Sequence, residues 1–431
     1  MKTSYIYMTA VLASLLVSVP ALADTYAITG GTVYTLGVVG KIDDGTVIIK
    51  DGKIAAVGAG IPIPADAKRI DASGKIVTPG VFDPQTSFGL NEVDAVNETQ
   101  DATLTSTRYT AAFDPVDGIN PRSMVIPVNR MEGVTRAVVT TNSGDSVLDG
   151  RGAVISLDGT ESYVLKDPVA LFVTLGEASK KLAGGARGGE WLALREAFQD
   201  AKDYALNKAA YDKAGRRAYS LSRLDLEALQ PFVNGQLPVV VQLNRASDIE
   251  AALRFVSEFK LKLVVSGGAE AWMVADALAK AQVPVILDPI EDLPASFESL
   301  GSSLDNAARL QKAGVLIAFS TGDTHKSWNV MQHAGNAVAN GLPWIEGLKA
   351  IMLNPARIYG LDKTSGTLEA GKDADVVVWS GDPLELTSFA DAVFIRGRAV
   401  PLTSRQTELR DRYLPYVKAN PPALPPAYSH P

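Results

Sequence analysis

The chain has 431 residues, 46% of them hydrophobic and 21% charged, with a formal net charge of −7. That length and apolar content support one large core plus a smaller domain and exclude a mainly disordered chain. An acidic chain with no block of Lys or Arg excludes an electrostatic nucleic-acid surface and a basic membrane-docking patch. There is no cysteine, so disulfides, thiolate metal ligands and a cysteine nucleophile are excluded. Only three histidines are present, His325, His333 and His430.

In chain order, residues 1–23 have a short positive start at Lys2, an apolar run from Ile6 to Val19 and the A-x-A sequence Ala21-Leu22-Ala23. This order predicts a secretory signal peptide cleaved after Ala23, and so a periplasmic or secreted protein. No later segment has the ~20 consecutive apolar residues of a membrane span.

Short β-type segments follow. Thr46 to Lys50, the Asp51-Gly52 pair and Lys53 to Gly58 predict a hairpin, and Lys75-Ile76-Val77 leads into Thr78-Pro79-Gly80. These strands are too few to stand alone. Ala374 to Trp379 and Ala392 to Ile395 supply more at the far end of the chain. The expected arrangement is a small β-sandwich built from residues 24–78 and 362–405.

Between them, short runs apolar at consecutive positions alternate with amphipathic stretches. Strands are predicted at Val81 to Phe82, Val134 to Thr140, Leu171 to Leu175, Val239 to Leu243, Leu261 to Ser266, Val283 to Asp288 and Val315 to Ser320. Strands buried on both faces have this pattern. Leu194, Phe198, Ala201 and Ala205 mark one helical face, and Ile249, Ala252, Val256 and Phe259 another. Ser247 with Glu250 reads as a capping box opening the second helix. The alternation predicts an α/β fold, a parallel (β/α)₈ TIM barrel over residues 79–361. An open doubly wound sheet is the alternative, but no G-x-G-x-x-G or phosphate loop favours it. Residues 406–431 form a tail whose last eleven residues, Pro421 to Pro431, hold five prolines and are expected to be extended.

Four segments resemble one known family. They are "GGTVYTL…GTVIIKDGKIAAVG" near the start, "IVTPGVFDPQTS" before the first barrel strand, "LNPARIYG" near the barrel's end, and "SGTLEAGKDADVVVWSGDPLE" with "VFIRGRAV" on the return. In this order and spacing they resemble the amidohydrolase superfamily, most of all its imidazolonepropionase-type branch. The resemblance implies a hydrolase of C–N bonds, amide or cyclic amide, working through Zn²⁺ or another divalent metal at the barrel mouth.

The metal ligands that the resemblance implies are missing. The first strand of that family ends in H-x-H, and residues two apart on a strand face the same side. Gln85 and Ser87 stand there instead. The histidine implied at the end of the fifth strand is Gln242. The sixth strand runs through Ser266 into Gly267-Gly268-Ala269-Glu270 without one. The aspartate implied at the end of the eighth strand aligns with Gly322, with Asp323 one residue later. A catalytic zinc takes three protein ligands plus a water, and amides and hydroxyls are poor substitutes. No cofactor is therefore expected.

Asp323 and His325 are the remaining candidate base and acid. Asp83, Glu177, Arg245 and Glu270 are further candidates for the barrel mouth, each with an ordinary structural role as the alternative. Two functions remain open at this point: an amidohydrolase-like hydrolase with altered or lost activity, and a non-catalytic binding or partner protein on a degenerate barrel. The ligand or substrate is a small molecule in either case. Association as a homo-oligomer or with an intact relative is open too, and no nucleic acid is expected.

Overall fold

The alternation of strand residues between two cores sets the architecture. In the computed structural model, which describes residues 24–105, 108–213, 215 and 217–419, eight strands form one barrel sheet. They are β6 (Val81–Thr86), β8 (Val134–Thr140), β10 (Leu148–Ser156), β11 (Val164–Thr174), β12 (Pro238–Leu243), β13 (Lys262–Gly267), β14 (Val285–Leu287) and β15 (Ile317–Phe319), adjacent in that order. Phe82, Val138, Val154, Phe172, Val240, Val264, Ile286 and Ala318, one from each strand, share an inner core. Their neighbours Val81, Val139, Ile155, Leu171, Val239, Val265, Val285 and Phe319 belong to a separate outer core, which also holds Phe198, Phe255, Leu278 and Leu348 from the helices. Side chains on a strand alternate faces, so two cores demand apolar residues at consecutive positions. This is the pattern the sequence shows.

The helices are α1 (Val125–Met131), α2 (Arg187–Asp212), α3 (Arg223–Ala228), α4 (Gln230–Val233), α5 (Ala246–Phe259), α6 (Ala275–Lys280), α7 (Asn306–Lys312), α8 (Val330–Ala339), α9 (Trp344–Ile351), α10 (Leu353–Ile358) and α11 (Arg405–Ala419). Three expectations are corrected here. The barrel is not wholly parallel: β10, which the sequence pattern does not reveal, runs antiparallel to both β8 and β11, and hairpins replace the crossover helices on either side of it. Ser247 and Glu250 do not cap α5. The helix begins at Ala246, whose N–H donates to the distant Glu270 carboxylate at 3.0 Å. On α2 the buried face turns at Tyr204, and Ala205 is exposed.

The barrel closes at the seam between β15 and β6. The Ser320 hydroxyl donates to Asp83 Oδ1 at 2.8 Å and to the Gln85 carbonyl at 3.0 Å.

A second sheet joins both ends of the chain, as expected. Its strands are β1 (Tyr26–Tyr34), β2 (Lys41–Lys50), β3 (Lys53–Ala59), β4 (Lys68–Asp71), β5 (Ile76–Pro79), β16 (Val376–Trp379), β17 (Ala390–Ile395) and β18 (Arg398–Ala399). The order is β18-β17-β16-β5-β1-β2-β3, with β4 beside β1. Ile28, Val47, Ile49, Ile54, Val77, Val376, Val378 and Phe394 form its core. The predicted hairpin is present: Asp51 and Gly52 both have positive φ, 50° and 79°, which the two-residue turn between β2 and β3 requires. A buried arginine fastens this sheet to the barrel. Arg136 on β8 pairs with Asp373 at 2.6 Å and with Asp375. Residues 406–419, the first part of the predicted tail, lie in α11, none of whose residues is buried. The predicted signal peptide and the proline-rich residues 421–431 lie outside the described residues. Among the described residues no helix is long and apolar enough to cross a membrane.

Candidate functional site

Five of the barrel strands carry an apolar residue inward, and the residue two places on emerges at the mouth. The pairs are Phe172 and Thr174, Val240 and Gln242, Val264 and Ser266, Ile286 and Asp288, Ala318 and Ser320. The C-terminal ends of parallel barrel strands build the working face. Because β10 is reversed, its first residues reach that same face. A cavity of about 180 Å³ opens there, floored by Phe172 and Val240 and walled by Gln85, Gln242, Ser266 and Asp149. Ser87 and Gly322 also line it.

The structure therefore gathers the four replaced ligand positions, Gln85, Ser87, Gln242 and Gly322, around one cavity. Gln85 Oε1 accepts a hydrogen bond from the Ser266 hydroxyl at 2.8 Å, across the mouth from β13 to β6. The Gln242 side chain is exposed into the mouth. The Ser87 N–H donates to the Thr324 hydroxyl at 2.9 Å. Gly322 has φ of 65° and its N–H donates to Ser320 Oγ at 3.3 Å. These groups are neutral, and Gln85 is satisfied by Ser266. Among the described residues no three His, Asp or Glu side chains converge as a metal site requires. The residues at the mouth do not fit a zinc ion.

Asp323 and His325 do not form an acid–base pair. The Asp323 carboxylate accepts the backbone N–H groups of His325 and Lys326, at 2.8 and 3.2 Å, as a local turn cap. The His325 ring turns to the Glu92 carbonyl at 3.0 Å and to Asp94 at 3.4 Å.

The other mouth candidates are engaged by neighbouring groups. The Glu177 N–H donates to Glu298 at 2.9 Å, and its carboxylate lies 3.9 Å from Arg187. Arg187 also holds Asp248 at 2.8 Å and Glu298 at 3.0 Å, tying together the segments that follow β11, β12 and β14. Arg245 bonds Asp248 at 2.8 Å. Glu270 receives the N–H groups of Ala246 and Gly301, both at 3.0 Å.

Asp83 is a seam residue. It is 1% exposed and accepts from the Gln85 N–H at 3.0 Å, from Ser320 and from Ser327. Burial pushes its carboxyl up to about 6, against the pull of those hydrogen bonds and of His333. His333 itself pairs with Asp288 at 2.8 Å, a contact the sequence reading does not anticipate.

Sequence reasoning also misses Asp149. It is the second residue of the reversed strand, is 4% exposed and lines the cavity. Its Oδ2 accepts from the Thr174 hydroxyl at 2.7 Å and its Oδ1 from the Ser143 N–H at 3.0 Å. Burial pushes its carboxyl up to about 6, opposed by these two neutral donors. The one sequence signal is an acidic residue inside "SVLDGRGAVIS", where two glycines obscure a strand.

Residues 249–400, which include β12's following helix, β13 to β18 and the return to the small sheet, match the amidohydrolase family model. The chain thus carries an amidohydrolase family domain over those residues. A solved amidohydrolase from Thermotoga maritima superimposes with a TM-score of 0.79 at 29% identity, covering 88% of this chain and all of that one. An imidazolonepropionase from Sphingopyxis alaskensis is 23% identical over 80% of this chain and 89% of its own length. The amidohydrolase tasK of Hapsidospora irregularis is 26% identical over 82% of this chain, but the match spans only 40% of tasK. The chain thus shares its fold with these proteins, while its own mouth carries the amides and hydroxyls of Gln85, Ser87, Gln242 and Ser266.

Proposed function

We propose that this chain is an amidohydrolase of the C–N bond-hydrolysing lineage whose metal centre has become a small-molecule binding pocket. One observation carries the reading. The positions where metal ligands are implied hold Gln85, Ser87, Gln242 and Gly322, and Gln85 is bonded to Ser266 instead of being free to bind a cation. Neutral amides and hydroxyls cannot offset the dehydration of a divalent ion. In this reading the protein works in the periplasm or outside the cell after loss of residues 1–23, alone, as a homo-oligomer or beside an intact relative. Light scattering on the purified mature protein, and identification of what co-purifies, distinguish these states.

Zinc calorimetry and a hydrolysis panel of cyclic amides and dipeptides test the function. The expected result is no tight zinc binding and no metal-dependent turnover. Submicromolar zinc affinity, or turnover abolished by a chelator and restored by a metal, overturns it.

Asp149 favours a second reading, hydrolysis without a metal. As a water oxygen bonds to the substrate carbonyl carbon, its carboxylate would take the water's proton and return it to the nitrogen as the C–N bond breaks. Turnover that withstands chelators and is lost in Asp149→Asn supports this second reading over the first.

A further inference from the structure

Asp149 is an acidic group in a cavity wall with no cation to answer it. It is 4% exposed, yet its two hydrogen-bond donors, the Thr174 hydroxyl and the Ser143 N–H, are both neutral. Among the described residues that line the cavity there is no Lys, Arg or His. Arg151, two residues on, turns away to pair with Asp114. The remaining elements around Asp149 bring Thr140 and Thr141 from the β8 end, Asn142, and Gln242 from β12, all uncharged. A buried carboxylate is normally paired with a cation or strongly hydrogen-bonded. An ionised carboxylate has about four acceptor sites, and here two are filled. The cavity in front of it has room for at least about six waters at ~30 Å³ each.

We propose that this cavity binds a small protonated amine, with its ammonium against Asp149, its further polar groups on the Gln242 and Gln85 amides, and its apolar part over Phe172 and Val240. The chemistry of the wall excludes the opposite charge. A carboxylate or phosphate would meet Asp149 with no cationic group to hold it.

The proposal rests on the reading of the mouth as a ligand pocket without a metal, and the two can fail separately. Tight zinc at the mouth removes both. Absence of zinc together with absence of amine binding removes only this one.

The test is calorimetry and thermal-shift measurement on the full mature protein with three probes of similar size: butylamine, butyramide and butyrate. At pH 7.5 butylamine is expected to bind at millimolar or lower concentration, the amide more weakly and the carboxylate not at all. Asp149→Asn should weaken butylamine by about tenfold to a hundredfold, the worth of a charge-assisted hydrogen bond. Asp323→Asn, outside the cavity wall, should leave it unchanged.

Binding should also weaken about tenfold between pH 7.5 and pH 5, because a carboxyl titrating near 6 becomes neutral. Asp83, behind Gln85, titrates in the same range, so the pH dependence must vanish in Asp149→Asn for Asp149 to be its source. Equal binding of butyramide or butyrate, amine binding untouched by Asp149→Asn, or no binding of butylamine at all overturns the proposal. If Asp149→Asn does not fold, Thr174→Val gives the second reading. Removing its hydroxyl frees Oδ2 and should alter amine affinity while leaving butyramide unaffected, and a variant identical to the parent for both counts against the site.

Discussion

Replacing Asp83 by Asn should remove a defined pH-dependent term from stability. The carboxyl is 1% exposed, and the fold raises it from an ordinary 3.8 to about 6. Two units correspond to roughly 3 kcal/mol, at 1.36 kcal/mol each. The raised value means that the folded state holds the proton more tightly than the unfolded chain does. Stability is therefore greatest below about 3.8, falls as pH rises from there to about 6, and is level above. At pH 7.5 the ionised group opposes folding by that roughly 3 kcal/mol, although its three hydrogen bonds fix the seam between β6 and β15. Asn copies the protonated shape: its carbonyl can accept from Gln85 and Ser320, and Ser327 can turn its hydroxyl to accept from the amide. Urea denaturation of parent and variant across pH 4 to 8 reads the difference, which cancels the carboxylates common to both. Between those limits the parent should lose roughly 2.5 kcal/mol more than the variant does, part of the full term being already lost at pH 4. Parallel stability curves would refute the assignment of a near-neutral carboxyl to the seam.

Three further outcomes follow from other contacts. Gln85→His with Ser87→His should create at most a weak zinc site, and adding Gln242→His should tighten it by completing three imidazoles, as read by zinc calorimetry. Arg187→Met should destabilise by about 2 kcal/mol, below the roughly 3–5 of a fully buried pair because Arg187 is 21% exposed, and should speed proteolysis of the loops it ties together. Gly133→Ala should cost about 2 kcal/mol or more in urea unfolding, since Gly133 has φ of 95° and an added Cβ would stand 2.5 Å from the Trp379 ring.

The parts of the fold legible in the sequence were those whose signal is local. Consecutive Val, Leu and Ile residues mark strands with two buried faces, and Asp51-Gly52 marks its turn, because each pattern answers to its immediate neighbours. The strand β10 was hidden for a non-local reason. Gly150 has φ of 114° and an added Cβ would lie 2.8 Å from the Phe113 carbonyl, while at Gly152 it would strike the Phe172 ring. Those glycines serve contacts from distant parts of the chain, yet in sequence they look like a turn. The cap of α5 was hidden in the same way, since Glu270 supplies it from 24 residues away. At the site, the loss of imidazoles was readable residue by residue. The position of Asp149 was not, because it depends on the direction of a strand that had not been recognised.

The reversed strand also changes the electrical sense of the mouth. A metal centre is a cation held by neutral imidazoles and a carboxylate. Here the ring formed by β6, β12 and β13 offers only amides and a hydroxyl, and the charge comes from β10 as a carboxylate with no cation among the described residues lining the cavity. Like Asp83, Asp149 is raised to about 6, so its ionisation too opposes folding by roughly 3 kcal/mol at pH 7.5. An ammonium placed beside it would recover part of that term. Ligand stabilisation and the pH dependence of folding are then two measures of one quantity. The stabilisation by an amine must shrink as pH falls through about 6, because a protonated Asp149 has no ionisation penalty left for the ligand to relieve. An amine that stabilised the protein equally at pH 5 and pH 7.5 would have to be held by some other group.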